Sequence, residues 1–189
     1  MTIILDNGHG NNTPGKRSPV WSDGSQLFEY EFNRDIVRRI KEALPDADIR
    51  ILVPELWDEP LNVRVLRANI ITNEVGWRNT LLISIHANAG GGTGWEVWTS
   101  VGKTNSDPYA TLLFNEMQKL LTGFRMRQDA SDGDPDKESQ FYILKNTICP
   151  AVLTENLFMD TEKDCRYLMS DEGRNTIAQA HINFIKRII

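Results

Sequence analysis

The chain has 189 residues, 40% of them hydrophobic and 25% charged, with 13 Gly, 8 Pro and a formal charge of −5. At roughly 150 residues per domain this predicts one domain, 1–189, with a core of its own. The composition excludes collagen-like and disordered chains, no apolar run reaches the roughly 18 residues of a membrane span, and the acidic balance argues against a nucleic-acid partner.

Ile3-Ile4-Leu5 reads as a first strand, ending in the turn-prone loop Asp6-Asn7-Gly8-His9-Gly10. Met1 to Leu5 shows no charged n-region or cleavage site, so no signal peptide is expected. After a broken polar stretch, Ser25 is expected to cap a helix. Its apolar stripe runs through Phe28, Phe32, Ile36, Ile40 and Leu44, and Pro45 stops it. Ile49 to Val53 reads as a second strand. Asp58 and Pro60 open a second helix carrying Leu61, Val65, Ala68, Ile71 and Val75, with Gly76 as its stop.

Leu81-Leu82-Ile83-Ser84-Ile85 is the nearly continuous apolar run of a strand buried on both faces. It leads into His86-Ala87-Asn88 and a glycine cluster, and Trp95 to Thr99 is the next strand. Ser106 and Pro108 start a third helix with Ala110, Leu113, Met117 and Leu120 inward. Residues 125–140 read as a charged surface loop rimming the cleft. Phe141–Leu144 and Ala151–Glu155 read as the last strands. Two short helices follow, the second with Ile177, His181, Phe184, Ile185 and Ile188 on one stripe. Alternating strands and helices predict a three-layer α/β/α domain, a mostly parallel mixed sheet of about six strands with helices on both faces. Cys149 and Cys165 lie outside any CxxC spacing and are expected as free thiols. The five tryptophans are expected mainly as core or rim packing.

In such sheets ligands bind beyond the carboxyl ends of the strands. His9 follows strand one, His86 the buried third strand, and Glu155 ends the last, so three titratable groups come out at one sheet edge. Gly8 and Gly10 bracket His9 and allow positive φ and close approach there. Two imidazoles and one carboxylate make a His₂Glu shell suited to Zn²⁺. Glu29 offers a third ligand, with Asn33 one turn on to hold its carboxylate; the residues alone leave Glu29 equally readable as a solvated helix acid like Glu31. An acid ending an apolar strand, as Glu155 does, is costly to bury unless paired or used. His181, on an apolar stripe, reads as a core histidine.

Asp6-Asn7-Gly8-His9-Gly10, Glu29 with Asn33, Ser84-Ile85-His86-Ala87-Asn88 and Pro150-Ala151-Val152-Leu153-Thr154-Glu155, in that order, resemble the zinc-dependent N-acetylmuramoyl-L-alanine amidase family. Leu61, Arg64, Ala68, Asn69 and Gly94-Trp95-Glu96-Val97 extend the likeness over nearly the whole chain. The resemblance implies a hydrolase cutting the amide between the lactyl group of N-acetylmuramic acid and the L-alanine of the stem peptide, with peptidoglycan as partner. It implies one Zn²⁺ per chain on His9, Glu29 and His86, Glu155 as catalytic carboxylate, and Asn88 as a substrate contact. Asp6 is read either as supporting the ligands or as bonding its own turn. The sequence departs from the family at Asn7 (usually Pro), Asn11 (usually Gly), Val53-Pro54-Glu55 (usually a Thr-Arg pair) and after Glu155, where a small residue is usual. A monomer is expected, either a lysin made in the cytoplasm and released to the wall or an exported enzyme without its leader. Two other readings stay open: a zinc carboxypeptidase or small-amide hydrolase, and a catalytically silent wall-binding module.

Overall fold

The structure, a computed structural model, describes residues 1–189. Six strands form one sheet: β1 (Thr2–Asn7), β2 (Ile49–Ile51), β3 (Thr80–Asn88), β4 (Glu96–Thr99), β5 (Lys137–Glu138) and β6 (Ala151–Phe158). Their order across the sheet is β2-β1-β3-β6-β4-β5. All neighbours are parallel except β4 and β6. The helices are α1 (Glu29–Ala43), α2 (Leu61–Val75), α3 (Asp107–Leu120), α4 (Tyr142–Asn146), α5 (Glu162–Met169) and α6 (Asp171–Lys186).

Strand side chains alternate between faces, and β1, β3 and β6 are apolar on both. Ile3, Leu5, Leu81, Ile83, Ile85 and Val152 therefore feed a large core under α1, α3, α5 and α6. Ile4, Leu82, Ala151 and Leu153 feed a smaller core closed by α2 and α4. The layered α/β/α expectation is borne out, and so is the buried third strand. Cys149 and Cys165 are both free, one in each core. His181 is fully buried, with Nδ1 2.8 Å from the Ile177 carbonyl oxygen.

Several local expectations are corrected. Ser25 does not cap α1; it closes a turn on Asp23, and the helix starts at Glu29 after Phe28. Phe141–Leu144 is not a strand, because Tyr142–Asn146 forms a single helical stretch that turns Ile143 and Leu144 into the smaller core. Four apolar residues in a row carry no period that separates helix from strand. The fifth strand is instead Lys137–Glu138, inside the segment read as loop, pairing with Trp98 and Thr99 of β4. It covers an edge whose backbone groups otherwise lack partners. Of the two closing helices the second is not short: α6 spans 16 residues.

Candidate active site and metal centre

On the face of the smaller core, successive rows of side chains run toward the carboxyl ends of β1, β3 and β6. Ile4, Leu82 and Ala151 form an apolar row, Asp6, Ser84 and Leu153 the next. One row further on, His86 lies beside Glu155, and Glu155 beside Glu96 of β4. β1 has ended by then: the Gly8 N–H still donates to the Ile85 carbonyl, and a Cβ on Gly8 would overlap the His86 imidazole. Glycine is thus required at 8 for close approach. The left-handed backbone falls on His9 itself (φ 62°) and on neither flanking glycine, a conformation costing on the order of 1–3 kcal/mol in a non-glycine residue.

Glu29 reaches the same point from the other layer, as the first residue of α1. Segment 16–18 pairs with 27–29: Glu29 N–H donates to the Lys16 carbonyl at 3.1 Å, and Ser18 N–H to Leu27 at 2.9 Å. Glu29 Oε1 lies 3.5 Å from His9 Nε2 and 3.1 Å from His86 Nδ1, and it accepts from the Ala87 N–H at 3.1 Å. The two imidazoles stand edge to face, 4.9 Å apart. His9, Glu29 and His86 offer ligand atoms all within 4.8 Å of one another, a group that could hold a metal ion.

The charges fit a cation. Burial holds His9 down at about 4, against the pull of Glu29, so its imidazole is neutral at pH 7. Burial also disfavours charge on His86, but the hydrogen bond and charge of Glu29, with Glu155 behind it, raise it nonetheless. Burial would raise Glu29, and the two histidines and Lys16 outweigh it. Glu29 Oε2 and Glu155 Oε2 are buried without hydrogen-bond partners. Burial lifts Glu155 to about 7, with Glu29 and Glu96 adding to the rise and His86 and Lys16 opposing it. His9, His86 and Glu155 line a cleft of about 620 Å³ walled by Asn12–Pro14, the start of α2 and Phe141–Ile143.

The supporting residues differ from expectation. Asn33 does not hold Glu29; its Nδ2 donates to the Gly8 carbonyl at 2.9 Å, fixing the turn that carries His9. Asn88 does not line the cleft: its Nδ2 donates to Glu96 at 2.7 Å and its Oδ1 accepts from the Ala89 N–H. Asp6 touches neither ligand side chain nor its own turn. It accepts from Arg64 and from Ser84 Oγ, and Arg64 in turn donates to the Asn7 carbonyl and to Asp58. Neither Glu155 nor His86 ends its strand, since β6 continues to Phe158 past a bulge between His86 and Asn88. No residue of 125–140 lines the cleft; that segment acts from behind, with Arg127 and Lys137 neutralising Glu96.

Three contributors went unseen in the sequence. Asn156 donates to the His86 carbonyl at 2.9 Å and accepts from buried Trp95 Nε1 at 2.8 Å, locking the bulge. Asn7 donates to the Val53 carbonyl at 2.9 Å, so two of the departures from the family pattern touch each other. Lys16 brings an ammonium to Glu29. Departure from the family pattern at Asn7 and after Glu155 was the available signal.

The family model described as N-acetylmuramoyl-L-alanine amidase matches residues 3–187. The chain belongs to that family, and it is a peptidoglycan amidase. It is 28% identical, over 99% of its length and 68% of the relative's, to a sporulation-specific N-acetylmuramoyl-L-alanine amidase of Bacillus subtilis (strain 168). It is 30% identical to an endolysin of Bacillus phage SPP1, covering 99% of this chain and 65% of that protein. Its fold matches the crystal structure of an N-acetylmuramoyl-L-alanine amidase from Clostridium difficile 630 with a TM-score of 0.81 at 24% identity, over 98% and 95% of the two chains. No helix is long and apolar enough to cross a membrane.

Proposed function

We propose that residues 1–189 act as one catalytic unit, a monomer that holds a single Zn²⁺ on His9, Glu29 and His86 and uses Glu155 as its general acid and base. Two imidazoles with one carboxylate and room for a further ligand are the donor set that suits Zn²⁺. When bound, the ion supplies Lewis-acid polarisation of the scissile carbonyl and lowers the pKa of water toward about 7. Glu155, on the neighbouring strand, takes the proton of the attacking water and passes it to the alanine nitrogen, so that the amine leaves neutral. Asn33 and Arg64 keep the His9 turn in place, and Asn156 keeps the His86 backbone in place. Asn88 orients Glu96, whose charge adds to the rise of Glu155.

The observation that carries this reading is the buried, unpartnered Glu155 oxygen beside His86 at the cleft. A free buried carboxylate is what a silent wall-binding module has no use for. The place of action is the cell wall. Digestion of purified peptidoglycan with mass analysis is expected to release peptides beginning with L-alanine, to stop with chelator and to resume with zinc. Release of single C-terminal residues would favour a carboxypeptidase, and indifference to chelator would end the metal assignment.

A further inference from the structure

Within the cleft, the fixed charges are mostly spoken for. Arg64 is enclosed by Asp6 and Asp58, Asp58 also accepts from Thr13, and Glu59 accepts from Trp57 Nε1. Lys16 is the one cleft cation whose ammonium makes no hydrogen bond; its nearest charge is Glu29 Oε2 at 3.9 Å. Its position is not that of a loose surface lysine. The backbone pairing of 16–18 with 27–29 fixes Lys16 opposite the first residue of α1, and its side chain is only 43% exposed. The charge of Lys16 also reaches His9, Glu29 and Glu155 alike.

Amide hydrolysis creates negative charge on one half of the substrate only. Attack of water on the carbonyl carbon puts charge on the carbonyl oxygen. Breaking the C–N bond, with a proton delivered to nitrogen, then leaves a carboxylate on the acyl side and an amine on the peptide side. We propose that Lys16 binds the acyl half of the substrate, receiving the negative charge of the tetrahedral adduct and then the lactyl carboxylate of the product. A half-exposed ammonium with no hydrogen-bond acceptor from the protein gains a charge-assisted bond to substrate as that charge develops, which is the condition for lowering a barrier rather than tightening ground-state binding. This assignment rests on the amidase reading and on the site residues proposed above.

The test compares binding of N-acetylmuramic acid with that of its uncharged lactyl amide, by calorimetry at pH 7, on zinc-replete protein. Wild type is expected to favour the acid, and Lys16→Met to cut that preference about tenfold, the worth of one charge-assisted hydrogen bond. Lys16→Arg should keep most of it. In turnover, Lys16→Met should lower kcat more than it changes KM. Equal zinc content and melting temperature of the three proteins show that the site is intact. An unchanged preference in Lys16→Met, or a wild type that binds the acid no better than the amide, overturns the proposal. A Glu155→Gln variant that still hydrolyses would remove the general base while leaving this binding comparison standing, so the two failures are separable.

Discussion

Asp6 on β1 and Glu155 on β6 face the same side of the same sheet, one row apart, yet their carboxylates are finished differently. Asp6 is 2% exposed and both its oxygens are taken, one by Arg64 and one by Ser84 Oγ. Glu155 and its neighbour Glu29 each keep an oxygen buried and unpartnered. Burying a carboxylate without a partner costs several kcal/mol, so the closed acid reads as structure and the open ones as chemistry. The row behind is wholly apolar. Along one sheet face the chain thus passes from hydrophobic core, to a sealed ion pair, to a site left open for a cation and a reacting molecule.

That contrast breaks or sharpens under substitution. His86→Ala should have the largest effect, lowering zinc from one per chain to a small fraction by metal analysis and abolishing hydrolysis; a full complement of zinc would break the open-site half of the comparison. Glu155→Gln should keep the zinc and lose roughly 10³-fold in turnover, since glutamine keeps the shape and cannot carry the proton. Asp6→Asn should leave zinc content near one per chain but cost about 3 kcal/mol in urea unfolding, because it leaves Arg64 buried beside a neutral amide.

A further buried acid sharpens the comparison by lacking a counter-charge. Asp136 is 2% exposed, accepts from Thr99 Oγ1 at 2.6 Å and leaves its other oxygen unpartnered. Burial, with the nearby charge of Asp134, raises it from 3.8 to about 7. The folded state then holds that proton more tightly than the unfolded chain, so its contribution is present below pH 4 and is lost as pH rises through 7. Asp136→Asn should therefore stabilise the protein at pH 8, on the order of 2 kcal/mol, and do little at pH 4. Equal effects at both pH values in urea titrations would show that Asp136 is paired in solution.

Much of this is legible in the amino-acid sequence. The stripe of α1, the doubly buried β3 and the glycine at 8 follow from period and from chain geometry, whereas the set His9, Glu29, His86 and Glu155 is legible only through its likeness to the amidase family. What misled was local chemistry without period: Ser25 beside a helix it does not cap, Phe141–Leu144 without alternation, and a two-residue strand too short to show any. The supporting contacts escape the sequence for a different reason. Asn33 lies one turn from Glu29 but its amide meets the Gly8 carbonyl, and Asn88 lies two residues from His86 but is claimed by Glu96.

The residue types of the site and the layered class were set by the sequence itself, because hydrophobic period and ligand chemistry are local properties of the chain. Which oxygen stays open, which histidine bends its backbone, and how Lys16 comes to stand beside Glu29 were decided only in three dimensions. Those outcomes depend on partners 13 to 78 positions away, and hydrogen-bond competition among distant groups leaves no pattern in the order of the residues.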